Sequence, residues 1–139
     1  MDEHEITRAE QMRVRTRKFA VRVLQAFRSL NRSPESRILG SQMLRSGTSV
    51  AANYRAACRA RSRNEFIAKL GIVSEETDET EFWLSFFIEA GMLKEKQTEL
   101  LLKEAGELNA IFSTSLLTAK ANAKLLKSPR RKKNSPITQ

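Results

Sequence analysis

One line of side chains constrains this chain more than any other feature. Phe66, Leu70, Val73, Thr77, Thr80, Leu84 and Phe87 recur at alternating intervals of four and three, which returns each to the same face of an α-helix. A second line follows the same rule through Leu101, Ala105, Leu108, Phe112, Ser115, Ala119 and Ala123. Such faces must be buried against one another. No stretch shows the alternation of a β-strand, so the predicted class is all-α.

Two further helices precede these. The first is predicted over about Thr7 to Leu30, with Phe19, Val23, Phe27 and Leu30 on one face and Ala20 and Leu24 beside it. Asn31-Arg32-Ser33-Pro34 ends it, because polar turn formers precede a proline suited to a first helical turn. The second, about Pro34 to Arg59, is crowded with small residues, including Gly40, Ser46, Gly47, Ser49, Ala51 and Ala52. An interior glycine costs about 1 kcal/mol relative to alanine. Close approach of a neighbouring helix is the expected compensation. The third helix is predicted over about Arg63 to Ala90, with Ser62 and Glu65 forming a capping box at its start and Gly91 closing its end. The fourth is predicted over about Lys94 to Leu126.

The connections are short, which dictates an antiparallel up-down four-helix bundle. Residues 1–6 are expected to be a flexible N-terminus and 7–126 the bundle. Residues 127–139 hold Ser128-Pro129-Arg130-Arg131-Lys132-Lys133, two prolines and no apolar face, so a disordered basic C-terminal tail is expected there.

Chemistry is excluded more easily than it is assigned. His4 is the single histidine and Cys58 the single cysteine, so neither a Ser-His-Asp triad nor a histidine or cysteine metal cluster can be assembled. An enzyme, a metal and a cofactor are therefore not expected. No apolar run approaches the roughly 20 residues of a membrane span, and the acidic start lacks the features of a secretory signal. A cytoplasmic protein is expected.

Charge is segregated along the chain. Residues 1–63 carry 14 Lys or Arg against 5 Asp or Glu, whereas residues 64–119 carry 4 against 11. The last 20 residues add 7 basic side chains and no acidic one, bringing the net charge to +9. Arg8, Arg15 and Arg22 repeat at seven along the first helix, with Arg13, Arg17 and Lys18 close by. Together with Arg55, Arg59, Arg61, Arg63 and the tail residues Arg130, Arg131, Lys132 and Lys133, they are the candidate phosphate contacts. A solvated basic face is the plainer alternative. No base-reading module is present, so nucleic-acid binding by this chain would be led by phosphates or shape.

Glu76, Glu79 and Trp83 form a stripe beside the core line of the third helix. An antiparallel hairpin brings Arg45 of the second helix within reach of them. A structural arginine-carboxylate network is expected, in preference to a paired-carboxylate acid-base or metal site. Cys58 is expected as a small buried helix residue rather than a nucleophile.

The stretches Arg45 to Arg55, Ser62 to Val73 and Glu76 to Leu84 resemble the bacterial four helix bundle protein family, related to proteins encoded by intervening sequences in 23S ribosomal RNA genes. The likeness extends over about Phe19 to Ala119, and the family's relatives include the accessory protein of diversity-generating retroelements. It implies a bundle that assembles as a ring, typically a homopentamer, with nucleic acid (RNA or DNA) or a reverse transcriptase as partner in the retroelement case. Two positions depart from the family pattern, which has Gly where this chain has Ala51 and Glu where it has Ala56; the second change leaves Arg55 without an obvious partner. The expected function is that of a non-enzymatic, oligomeric nucleic-acid-binding or scaffold protein. The alternative is an interaction module that docks a partner protein through exposed helical faces.

Overall fold

The computed structural model describes residues 6–137, with side chains through Leu126. Four helices follow one another: α1 Arg8–Ser29, α2 Pro34–Cys58, α3 Arg63–Glu89 and α4 Glu95–Ile137. They form an antiparallel bundle in which α1 packs on α2, α2 on α3 and α3 on α4, while α1 and α4 touch least. The predicted flexible N-terminus falls outside the described residues except for Ile6, and His4 lies outside them. The backbone of α4 continues to Ile137, through the segment expected to be a disordered tail; the side chains of residues 127–139 lie outside those described.

Local chemistry sets the helix ends. Thr7 and Glu10 form a reciprocal capping box at α1, with hydrogen bonds of 3.1 and 3.3 Å. At α2, the Ser33 hydroxyl accepts from the Ser36 amide, and Pro34 occupies the first turn. Ser62 caps α3 by accepting from the Glu65 amide at 3.0 Å. The Glu65 carboxylate does not return to Ser62 but accepts from the amide of Arg61 at 3.0 Å, because the chain turns tightly enough there to present the earlier N–H. Gly91, at φ +74°, terminates α3. The amide of Met92 reaches back to the Phe87 carbonyl and that of Gly91 to Ile88, a Schellman closure that a side chain at Gly91 would strain.

The core follows the predicted lines closely. Leu70, Val73, Thr77, Thr80, Leu84 and Phe87 of α3 are buried, as are Leu101, Ala105, Leu108 and Phe112 of α4. On α2 the buried positions Ser36, Gly40, Met43, Gly47 and Val50 form a third such line. Each buried hydroxyl is satisfied: Thr77 donates to the Val73 carbonyl at 2.7 Å. Thr80 donates to the Glu76 carbonyl at 2.7 Å and lies 2.8 Å from the Ser46 hydroxyl, tying α3 to α2.

The α1–α2 contact leaves no room for a side chain at two glycines. A Cβ placed on Gly47 would stand 2.6 Å from Cγ1 and 2.9 Å from Cβ of Val23, and one on Gly40 would stand 2.7 Å from Cδ1 of Leu30. Here is the close approach that the glycines of this helix require. Val23 is fully buried and its branched side chain has little rotamer freedom, so it cannot yield.

The other seams are closed by polar clasps. Between α2 and α3, Arg45 donates to Glu76 at 3.0 Å and to Glu79 at 2.8 Å, while the Trp83 indole donates to Glu79 at 3.1 Å. The structure thus brings Arg45, Glu76, Glu79 and Trp83 into one network, with a cation of the protein itself between the carboxylates. Between α1 and α4, Arg15 forks onto Glu104 at 2.8 and 2.9 Å and reaches Glu107 at 2.9 Å. Between α3 and α4, Asn109 donates to Asp78 and Glu81.

Two measurements test this packing. Gly47→Ala is expected to destabilise the bundle by about 1–3 kcal/mol through overpacking, despite the better helix propensity of alanine. Gly71→Ala, where a Cβ meets nothing within 4 Å, is expected to stabilise it by about 0.5–1 kcal/mol; urea unfolding of both variants reads the two signs. The second concerns Glu79. Burial alone would raise its pKa, but the hydrogen bonds from Trp83 and Arg45 outweigh it and hold the carboxyl below the usual range. A depressed folded-state pKa contributes stability above the unfolded pKa that is lost as pH falls through the folded one. Melting temperature should therefore fall less between about pH 7 and pH 3 in Glu79→Gln than in the parent protein.

Candidate nucleic-acid interface

Of the three sequence-adjacent seams, α1–α2 alone has no polar clasp among the described residues. Sealed by glycine against valine, it leaves its flanking arginines unspent. Arg13 and Arg17 from α1 and Arg55 from α2 border a groove of about 490 Å³ whose floor is Val14, Thr48, Ala51 and Ala52. None of the three arginines forms an ion pair with a described residue. The floor is low because its α2 side chains are small, so an extended anionic backbone can approach the helix surface and meet guanidinium groups from both walls.

A second concentration of charge lies at one end of the bundle. The up-down topology brings the start of α1, the α2–α3 turn and α4 together there, and with them Arg8, Arg59, Arg61 and Arg63. Lys120 and Lys124 of α4 border the same opening as Arg63. Arg59, Arg61 and Arg63 are all exposed. This basic pole adjoins the groove through Arg13, which also lines a cleft with Arg8 at that end.

The remaining candidates are placed differently. Arg15 is withdrawn from the phosphate contacts: its guanidinium is held by Glu104 and Glu107. The seven-residue stripe of Arg8, Arg15 and Arg22 runs along the α4 side of α1, and Arg22 lies near Leu93, Gln97 and Leu101 rather than in the groove. Lys18 is exposed on α1 outside the groove lining. Arg130, Arg131, Lys132 and Lys133 fall outside the described side chains. Cys58 is half-buried rather than fully buried and lines the cleft at the basic pole.

Two features escaped the sequence reading. One is the groove floor, where Ala51 and Ala52 register only as small residues until α1 is seen beside them. The other is an exposed aromatic ridge on α3. Phe82 and Phe86 remain 53% and 37% exposed, their rings 5.9 Å apart, with Trp83 edge-on to both. The spacing Phe82-Trp83-Phe86 was the available signal.

The comparisons with known proteins bear on the whole bundle. The model of the 23S rRNA-intervening sequence protein family matches residues 10–114. A solved structure from Bacteroides thetaiotaomicron VPI-5482, described as a protein with unknown function from the S23 ribosomal protein family, aligns with a TM-score of 0.72 and 32% identity. The alignment covers 79% of this chain and 98% of that one. No curated protein sequence matches significantly. The family match takes in the α1–α2 groove and the α2–α3 turn of the basic pole, and with most of its length so matched the chain belongs to the 23S rRNA-intervening sequence protein family.

Proposed function

We propose that this protein is a non-enzymatic, oligomeric nucleic-acid-binding protein that holds phosphates in the α1–α2 groove. The observation that carries the reading is the trio Arg13, Arg17 and Arg55, without an ion pair to a described residue across a floor of small residues. Arginines that border a groove without a carboxylate present their charge to a ligand instead of to the protein. RNA is the first nucleic acid to test, since the family is named for 23S rRNA intervening sequences. The resemblance to a retroelement accessory protein makes a reverse transcriptase a candidate protein partner, and gene neighbourhood is the observation that bears on it.

A specific observation favours a docking role as well. The α3 ridge is apolar at Ile72, Phe82 and Phe86 and acidic at Glu75 and Glu89. Exposed Val21 on α1, outside the groove lining, stands instead between Lys18 and Arg28. The two surfaces oppose in charge, and each copy carries both. A contact between them is heterologous and closes into a ring when the rotation permits, in agreement with the homopentamer that the resemblance implies.

Binding of labelled RNA and duplex DNA, followed by anisotropy over a salt series, tests the first reading. The affinity should fall steeply with salt, and replacing Arg13, Arg17 and Arg55 together by Gln should reduce the log–log slope by about one per arginine. Arg15→Gln should leave the slope unchanged. No binding of either nucleic acid at low ionic strength would end the reading. For assembly, light scattering should give a mass several times the 15.8 kDa of one chain, falling towards one chain in Phe82→Ser/Phe86→Ser. A monomeric parent protein at micromolar concentration removes it.

A further inference from the structure

A cleft of about 530 Å³ opens onto the core at the basic pole. The first turn of α1, the end of α2, the start of α3 and Ile111, Phe112 and Ser115 of α4 line it. Its interior is aromatic: Tyr54 and Phe112 stand with ring centroids 5.5 Å apart, tilted by 43°, and Phe66 of α3 lines the same space. Among the described residues, no acidic side chain lines it. Its rim carries Arg8 and Arg13, neither ion-paired to a described residue.

Continuity is the decisive observation. Arg13 borders both this cleft and the α1–α2 groove, so a phosphate held by its guanidinium has the basic groove on one side and an aromatic pocket on the other. Burial, reinforced by neighbouring Cys58, pushes the Tyr54 phenol up to about 12. Its hydroxyl therefore stays neutral near anions and keeps both a donor and an acceptor, as does that of Ser115.

We propose that the cleft receives one unstacked base of a single-stranded RNA whose backbone lies in the α1–α2 groove, the base packing against Tyr54 and Phe66 while Arg13 holds its phosphate. This rests on the phosphate-led reading above and adds a preference that charge alone does not give. A basic groove by itself accepts any polyanion, whereas a pocket for a base demands one that has left its stack. A duplex supplies such a base only after unpairing and unstacking, at a cost of a few kcal/mol.

The experiment compares a labelled oligoadenylate with an RNA duplex of equal length by anisotropy at fixed low salt. The parent protein should bind the single strand several-fold more tightly. Ser115→Trp, which fills the cleft from a half-buried position, and Tyr54→Leu, which removes the ring but keeps apolar bulk, should each weaken the single strand by about tenfold and leave the duplex unchanged. Circular dichroism confirms that each variant folds; if Tyr54→Leu does not, Ser115→Trp decides. A 2-aminopurine within the oligonucleotide should change its fluorescence on binding the parent protein and not on binding Ser115→Trp. Equal affinities for strand and duplex, or a ratio that neither variant changes, overturn the base pocket while leaving phosphate binding intact. Failure of both RNAs to bind overturns the two together.

Discussion

The contact between Gly47 and Val23 sets the terms for the rest of the molecule. With no Cβ on one side and a rigid branched side chain on the other, α1 and α2 approach until their surfaces interlock. Dispersion between close-packed atoms then holds the seam without charge. The consequence reaches the surface. Arg13, Arg17 and Arg55 lie beside a seam that does not need them, and among the described residues no carboxylate lines the groove to neutralise them.

The segregation of charge along the chain acquires a structural meaning from this. The acidic stretch from 64 to 119 supplies Glu76 and Glu79 to the α2–α3 clasp, Glu104 and Glu107 to the α1–α4 clasp, and Asp78 and Glu81 to Asn109. Six carboxylates are thereby turned to seams. Among the described residues, only Arg15 and Arg45 are drawn from the basic half to meet them. The excess positive charge is left on the α1–α2 face and at the pole where Arg8, Arg59, Arg61 and Arg63 converge, and a bundle with such a face has a field that steers polyanions towards one side.

The sequence was most legible where a period fixed a face. The α3 line reached the core at every position except Phe66, which is half-buried because the cleft opens there. The α4 line is buried through Phe112 and only half-buried at Ser115, Ala119 and Ala123, since α1 has run out. The Arg8, Arg15 and Arg22 stripe illustrates the limit of the method: spacing at seven establishes a common face but not what lies opposite. Glu104 and Glu107 are some ninety residues distant in sequence, and only the closure of α4 on α1 reveals that Arg15 faces them. The groove was illegible for the same reason, being made of two helices whose relative rotation depends on Gly47.

The two positions at which the resemblance implies another residue, Gly at Ala51 and Glu at Ala56, fall on the helix that lines the groove. Ala51 is a floor residue, half-buried under the arginines; its methyl adds a little apolar surface without raising the floor enough to close it. Ala56 sits beside Arg55 and one helical turn beyond Ala52, where a glutamate would place a carboxylate at the edge of the groove. That negative charge would draw on Arg55 and weaken the local field. Alanine supplies no such competition, and Arg55 forms no ion pair with a described residue. At position 56 alanine adds no carboxylate to a groove that no acidic side chain lines among the described residues, the condition that the proposed phosphate binding requires.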